Sequence, residues 1–310
     1  MGGRLRPESV AGINRNGWPA SPGIGGRNRP EYADSSSTAI NSVDKAHISH
    51  AGTGDFLSYT TNFPGIWETN IIDNTLPATS TSIALDSADY IYISYCGMFN
   101  GLWTIKYATN ASGNWTTEIL ESLNIYSEYR NLNACPIAVD LNGDVHISFV
   151  SYDSNGENFL KYITNASGTW STDTVVMGVS LETYSSIAVD SAGNVNIIYI
   201  DHENSGLNYA TNSSGVWISE PVEEYYEHSS EYFTLAVDSY GNAHITYTQV
   251  MYGSESLFYA KNVSGTWETY IIDNERIKED LNPTTIAIDA DDKVHIIYDT
   301  YSGLKYATNH

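Results

Sequence analysis

Three carboxylates stand at comparable places in three copies of one sequence unit. Glu182, Glu231 and Asp280 precede Ile187, Leu235 and Ile286 by five, four and six residues. Like charges gathered by a repeating fold repel one another, and a hard cation such as Ca2+ relieves that repulsion through oxygen ligands. A one-residue difference in offset reverses side-chain direction in a strand, which counts against convergence. Tyrosines crowd the same segments: Tyr126, Tyr129, Tyr184, Tyr225, Tyr226 and Tyr232. A tyrosine ring is a rigid amphipathic surface that stacks on a sugar while neighbouring carboxylates bind its hydroxyls. A solvated acidic rim is the plainer alternative. His202 and His228 occur once each, as does His50, on what reads as the variable loop face; they are the candidates for an acid or base beside a metal. His47, His146, His244 and His295 instead recur at one position of the unit, which marks a structural role. No Gly-x-Ser-x-Gly elbow, His-Glu-x-x-His pair or phosphate loop is present.

The unit that places these residues is a repeat. The Asn of a Tyr-Ala-Thr-Asn-like motif falls at Asn62, Asn110, Asn165, Asn212, Asn262 and Asn309, spaced by 48, 55, 47, 50 and 47 residues. An apolar run ending at Asn41, Asp86, Asp140, Asp190, Asp238 and Asp289 keeps step with it, as does a Gly-x-Trp turn at Trp67, Trp115, Trp170, Trp217 and Trp267. Each unit reads as four strands, A to D. In the fourth, A is Ser186–Asp190, B is Val195–Tyr199, C is Leu207–Asn212 and D is Trp217–Val222. Tight Gly/Asn/Ser turns join A to B and C to D. A period near 50 without helical spacing predicts an all-β, six-bladed β-propeller of four-stranded antiparallel blades. The expected units are 37–75, 81–121, 135–177, 185–223, 233–273 and 284–310. The repeated tryptophans are expected to pack between blades. The last unit stops after strand C and lacks its outer strand in cis. Its edge must stay open, pair with the arm that precedes residue 37, or pair with another molecule, a route to self-association.

That arm, residues 1–36, holds five Arg, seven Gly and four Pro without an alternating pattern, and reads as irregular. With three acids the arm carries +2, so the chain's net charge of −23 comes from −25 in residues 37–310. Such acidity argues against nucleic acid, whose phosphates require Lys and Arg. No stretch of about 18 apolar residues exists to span a membrane. Cys96 follows strand B of the second blade and Cys135 precedes strand A of the third, both on the variable face; they bond if their Cα atoms come within about 7 Å and otherwise stay free. Five Asn-x-Ser/Thr sequons, at Asn110, Asn114, Asn165, Asn212 and Asn262, all lie in C–D hairpins, where the turn itself explains Asn and Ser.

Segments such as Ser186-Ile-Ala-Val-Asp-Ser-Ala-Gly-Asn-Val-Asn-Ile-Ile-Tyr199 and Leu304-Lys-Tyr-Ala-Thr-Asn309 resemble tandem repeats of exported bacterial and archaeal propeller proteins, with A–B portions similar to NHL-type repeats. The resemblance implies a binding platform or, as in related lactonase and phosphotriesterase propellers, a calcium-dependent hydrolase. The Gly-x-Trp turns lack the spacing and central Asp of a sialidase Asp-box. Only Arg130 and Arg276 lie within residues 37–310, too few for a three-arginine clamp. The sequence thus predicts an extracellular or cell-surface propeller, although no signal peptide is visible, that binds a glycan or other small ligand through its variable loops, or that assembles. The alternative is a Ca2+-dependent hydrolase of esters, lactones or phosphotriesters at the channel mouth.

Overall fold

The computed structural model describes residues 6–8, 36–51, 56–123, 134–153, 157–177, 181–201, 206–222, 229–251, 254–263, 265–275, 277 and 284–309. Six four-stranded antiparallel sheets make a six-bladed β-propeller. Blade 1 holds β2 (Ser36–Ile40), β3 (Ala46–Ala51), β4 (Phe56–Thr61) and β5 (Glu68–Pro77); blade 2 holds β6 (Ser80–Leu85), β7 (Ile91–Phe99), β8 (Leu102–Thr109) and β9 (Thr116–Leu123). Blade 3 holds β10 (Ile137–Val139), β11 (Val145–Tyr152), β12 (Asn158–Thr164) and β13 (Ser171–Met177); blade 4 holds β14 (Leu181–Val189), β15 (Val195–Asp201), β16 (Gly206–Thr211) and β17 (Ile218–Pro221). Blade 5 holds β18 (Ser229–Val237), β19 (Ala243–Met251), β20 (Ser254–Val263) and β21 (Thr266–Asp273).

The last blade has three consecutive strands, β22 (Thr284–Ile288), β23 (Val294–Thr300) and β24 (Gly303–Thr308). Its fourth position is taken by β1 (Arg6–Glu8), which pairs Arg6, Pro7 and Glu8 with Thr308, Ala307 and Tyr306. Of the three outcomes open to the sequence, the arm supplies the strand. Three residues are too few to show alternation, and a proline without an N–H is tolerated at a sheet edge. Deleting residues 1–8 is expected to cost about 1–3 kcal/mol, the worth of two or three net hydrogen bonds. Calorimetry should show a melting temperature lowered by several degrees; an unchanged value would mean that the pairing contributes nothing.

Two compact units divide the chain, residues 1–19 with 188–310 and residues 20–187. Within each, apolar B and C strands fill the space between neighbouring blades. Ile105, Ile147, Phe149 and Ile163 form one cluster in the second unit; Ile198, Leu207, Ile245 and Phe258 form one in the first. Hydroxyls tie strand B of one blade to the start of the next. Ser49 meets Thr81 at 2.7 Å, Ser148 meets Ser185 at 2.9 Å, and Thr284 donates to Thr246 at 3.2 Å.

The repeat motif has a local cause. The side-chain oxygens of Asn62, Asn110, Asn165, Asn212 and Asn309 accept the first backbone N–H of strand B in their own blades, at 2.7–2.8 Å. The A–B turns need one residue at positive φ. Gly143, Gly193 and Gly241 supply it at 83°, while Asp89 and Asp292 take it at 64° and 59°. An aspartate there is strained, and in both cases a serine of the preceding hairpin offsets the strain. Ser42 and Ser239 each donate their N–H and hydroxyl to that carboxylate.

Candidate functional site

Most of the loop-face candidates, namely Tyr126, Tyr129, Tyr225, Tyr226, His202, His228 and Asp280, lie outside the described residues. Glu182 and Glu231 fall in β14 and β18, with side chains outside the described set. Tyr184 and Tyr232 are half-buried in the same two strands. Among the described residues no group of three His, Cys, Asp or Glu could hold a metal. His50 is a residue of β3 rather than of a loop: its Nε2 meets Thr60 at 2.9 Å. It takes the strand-B place that Tyr95, Phe149, Tyr199 and Tyr247 fill elsewhere.

The recurring histidines form a relay that resembles acid–base machinery. Nδ1 of His146, His244 and His295 lies 2.6 Å from the hydroxyls of Tyr162, Tyr259 and Tyr306. Nε2 of His244 and His295 lies 3.2 and 3.0 Å from the carboxylates of Asp238 and Asp289. A carboxylate only accepts, so Nε2–H donates and the tyrosine O–H donates to Nδ1. Burial lowers the pKa of His47, His146 and His244. These rings are struts within the blade, consistent with their repetition.

Trp115, Trp170 and Trp267 pack between blades, against the tyrosine of the preceding one. Trp170 lies 5.2 Å from Tyr107 and Trp267 lies 5.3 Å from Tyr209, both T-shaped. Each indole N–H reaches back to a carboxylate on strand D of that preceding blade: Trp170 to Glu118 at 3.0 Å, Trp267 to Glu220 at 2.8 Å.

Around Glu220 this clasp opens into a groove of about 390 Å³ between blades 4 and 5, inside the usual range of ligand pockets, about 300–1,000 Å³. Tyr209 and the half-exposed Ile218 give it apolar surface. Thr211, Ser213, Asn242 and Asn262 add hydroxyls and amides. The Asn262 amide also donates to Glu220 at 3.0 Å. Gly241 lines the groove in its tight turn, where a Cβ would stand 3.3 Å from Asp190 Oδ2. Among the described residues the lining contains one carboxylate and no Lys or Arg. Hydroxyl donors can satisfy that carboxylate; an anion would be repelled by it.

This groove lies among the short hairpins, where the near-invariance of the turns points to no site. One signal was present: an acid three residues after the Trp, at Glu118, Asp173 and Glu220. Its partner sits about 50 residues on, in the next blade, so no local pattern shows the pairing.

No family model and no curated protein matches the sequence, so the likeness to NHL-type repeats has no support from them. Solved structures do match. A protein of unknown function from Dyadobacter fermentans superposes with a TM-score of 0.59 at 10% identity, over 88% of this chain and 93% of its own. The Aleuria aurantia lectin, solved in complex with Fucα1-6GlcNAc, gives 0.54 at 10% identity over 88% and 91%. The Hadza microbial sialidase Hz136 gives 0.54 at 10% identity over 88% and 65%. At such identities the likeness establishes the propeller fold alone.

Proposed function

We propose that the chain is a glycan-binding β-propeller whose sugar site is the groove between blades 4 and 5. The observation that carries this reading is the set of groups around Glu220: one carboxylate, two amides and two hydroxyls beside Tyr209 and the exposed Ile218. Adjacent sugar hydroxyls donate to a carboxylate as a pair. Amides match the remaining hydroxyls as donor or acceptor, and a pyranose C–H face packs on the apolar side chains. Without a cation in the lining, neutral sugars are favoured over sialic or uronic acids. The lectin-like neighbourhood of the fold supports the same class of ligand, and with it an extracellular or cell-surface location. A glycan array should show neutral saccharides bound and acidic ones not. Glu220→Gln should weaken the bound glycan at least tenfold, about 1.4 kcal/mol; an affinity unchanged by it would remove Glu220 from the site.

The tyrosines and carboxylates that the sequence marks before strands A are a second candidate for ligand binding in this proposal. Ca2+ held there by Glu182, Glu231 and Asp280 is the part that would favour the hydrolase alternative. A cation that binds only the folded chain raises stability by about 2.7 kcal/mol at a hundredfold excess over its dissociation constant. Melting should then rise between EDTA and millimolar calcium, and Glu182→Gln should abolish the rise. Melting indifferent to calcium would remove the cation and the hydrolase with it.

A further inference from the structure

Cys96 lies in β7 of blade 2, and Cys135 lies two residues before β10 of blade 3. Both are buried, at 0% and 1% exposed. They belong to one apolar cluster with Trp103, Ile105 and Phe149, and their side chains touch in a thiol–thiol hydrogen bond. Backbone bonds fix both positions. The carbonyl of Cys96 accepts the Thr79 N–H at 2.8 Å, and that of Cys135 accepts the Ser94 hydroxyl from blade 2 itself. Ser94 and Cys96 are two apart on β7, so one strand presents both the anchor of the Cys135 backbone and the partner of its thiol. The Cys96 contact and burial together push the Cys135 thiol pKa up.

We propose that Cys96 and Cys135 are a latent disulfide that staples blade 2 to blade 3 when the chain folds under oxidising conditions. The oxidant is a small-molecule disulfide such as oxidised glutathione. One cysteine thiolate attacks it, forms a mixed disulfide and expels a glutathione thiolate. The second cysteine thiolate then attacks the protein sulfur of that mixed disulfide and expels the other. One protein S–S bond replaces the glutathione S–S bond, two electrons pass to glutathione, and the two thiol protons leave on the two reduced glutathiones. Neither sulfur is open to solvent in the folded chain, so exchange accompanies folding or local opening. The 38 residues between the cysteines would be closed into a loop, and closing a loop of that size restricts the unfolded chain.

The test refolds the full chain once in a glutathione redox buffer and once in reductant, then alkylates under denaturing conditions. The proposal expects the oxidised sample to be monomeric, two hydrogens lighter, without alkylatable thiol, and several degrees more stable than the reduced one. Cys96→Ser and Cys135→Ser should each abolish the stability difference; the wild-type comparison decides the matter if either fails to fold. Two alkylatable thiols, a glutathione adduct as the end point, a disulfide-linked dimer, or an oxidised form no more stable than the reduced one would each overturn it.

Discussion

Asp73→Asn is expected to destabilise the chain by about 3–5 kcal/mol, the cost of breaking a buried ion pair by removing one partner. Asp73, in β5 of blade 1, faces strands of blade 2. Its carboxylate accepts from Lys106 Nζ, from the Tyr95 hydroxyl at 2.6 Å, and from the Thr75 N–H and hydroxyl at 2.8 and 2.6 Å. The Lys106 and Asp73 side chains are 8% and 4% exposed, so asparagine would leave a buried ammonium without its anion. Burial alone would raise the pKa of Asp73, but the bonds from Lys106, Thr75 and Tyr95 outweigh it and hold the group at about 2. A depressed carboxylate stabilises the fold above its ordinary pKa near 3.8 and loses that contribution as pH falls towards 2. The contribution is about 2 kcal/mol. Urea unfolding at pH 7 should show the large loss, and a series from pH 5 to 2 should show a flatter acid dependence in the variant. A loss under about 1 kcal/mol, the worth of an exposed pair, would contradict the account. The same arrangement returns where Lys305 meets Asp273 at 2.7 Å, while the more exposed Lys161–Glu121 pair at 3.0 Å should matter less.

Trp267→Ala is expected to cost about 2–3 kcal/mol, less than a fully buried aromatic cut to alanine, because the ring is only partly buried against its cluster. The ring packs on the cluster that includes Tyr209 and Val222 and donates its N–H to Glu220. Trp267→Phe keeps most of the packing and loses only the hydrogen bond, for about 1–2 kcal/mol. Trp67 is a built-in control: it is 36% exposed, and its alanine variant should lose clearly less. Denaturant midpoints of the three variants would decide; equal losses at Trp67 and Trp267 would refute the inter-blade role.

The contrast between these predictions and the loop candidates shows what the sequence could convey. Blade number, strand order and the structural standing of His146, His244 and the tryptophans were legible because each repeats, and repetition reports the core. The Asn of the motif was visible as a landmark, though its bond to strand B was not. Contacts between blades were not legible: Lys106 and Asp73 are 33 residues apart, and Glu220 and Trp267 are 47. Their pairing depends on how neighbouring sheets face each other, which no period in the chain encodes. β1 escaped because three residues carry no alternation. The groove escaped because its lining comes from turns that sequence variation marks as uniform, while the variable tyrosines drew attention to the opposite loops.

Ser213 lines the groove from an exposed turn and bears no structural load beyond that turn. Ser213→Arg should therefore fill the site without unfolding the chain. The direct measurement is a calorimetric titration of wild type and this variant with methyl glycosides of fucose, galactose, mannose and N-acetylglucosamine. At least one should bind the wild type, and Ser213→Arg should weaken it more than tenfold with its melting temperature unchanged. A sugar bound equally by both proteins, or none bound by the wild type, would contradict the assignment of the groove as a glycan site.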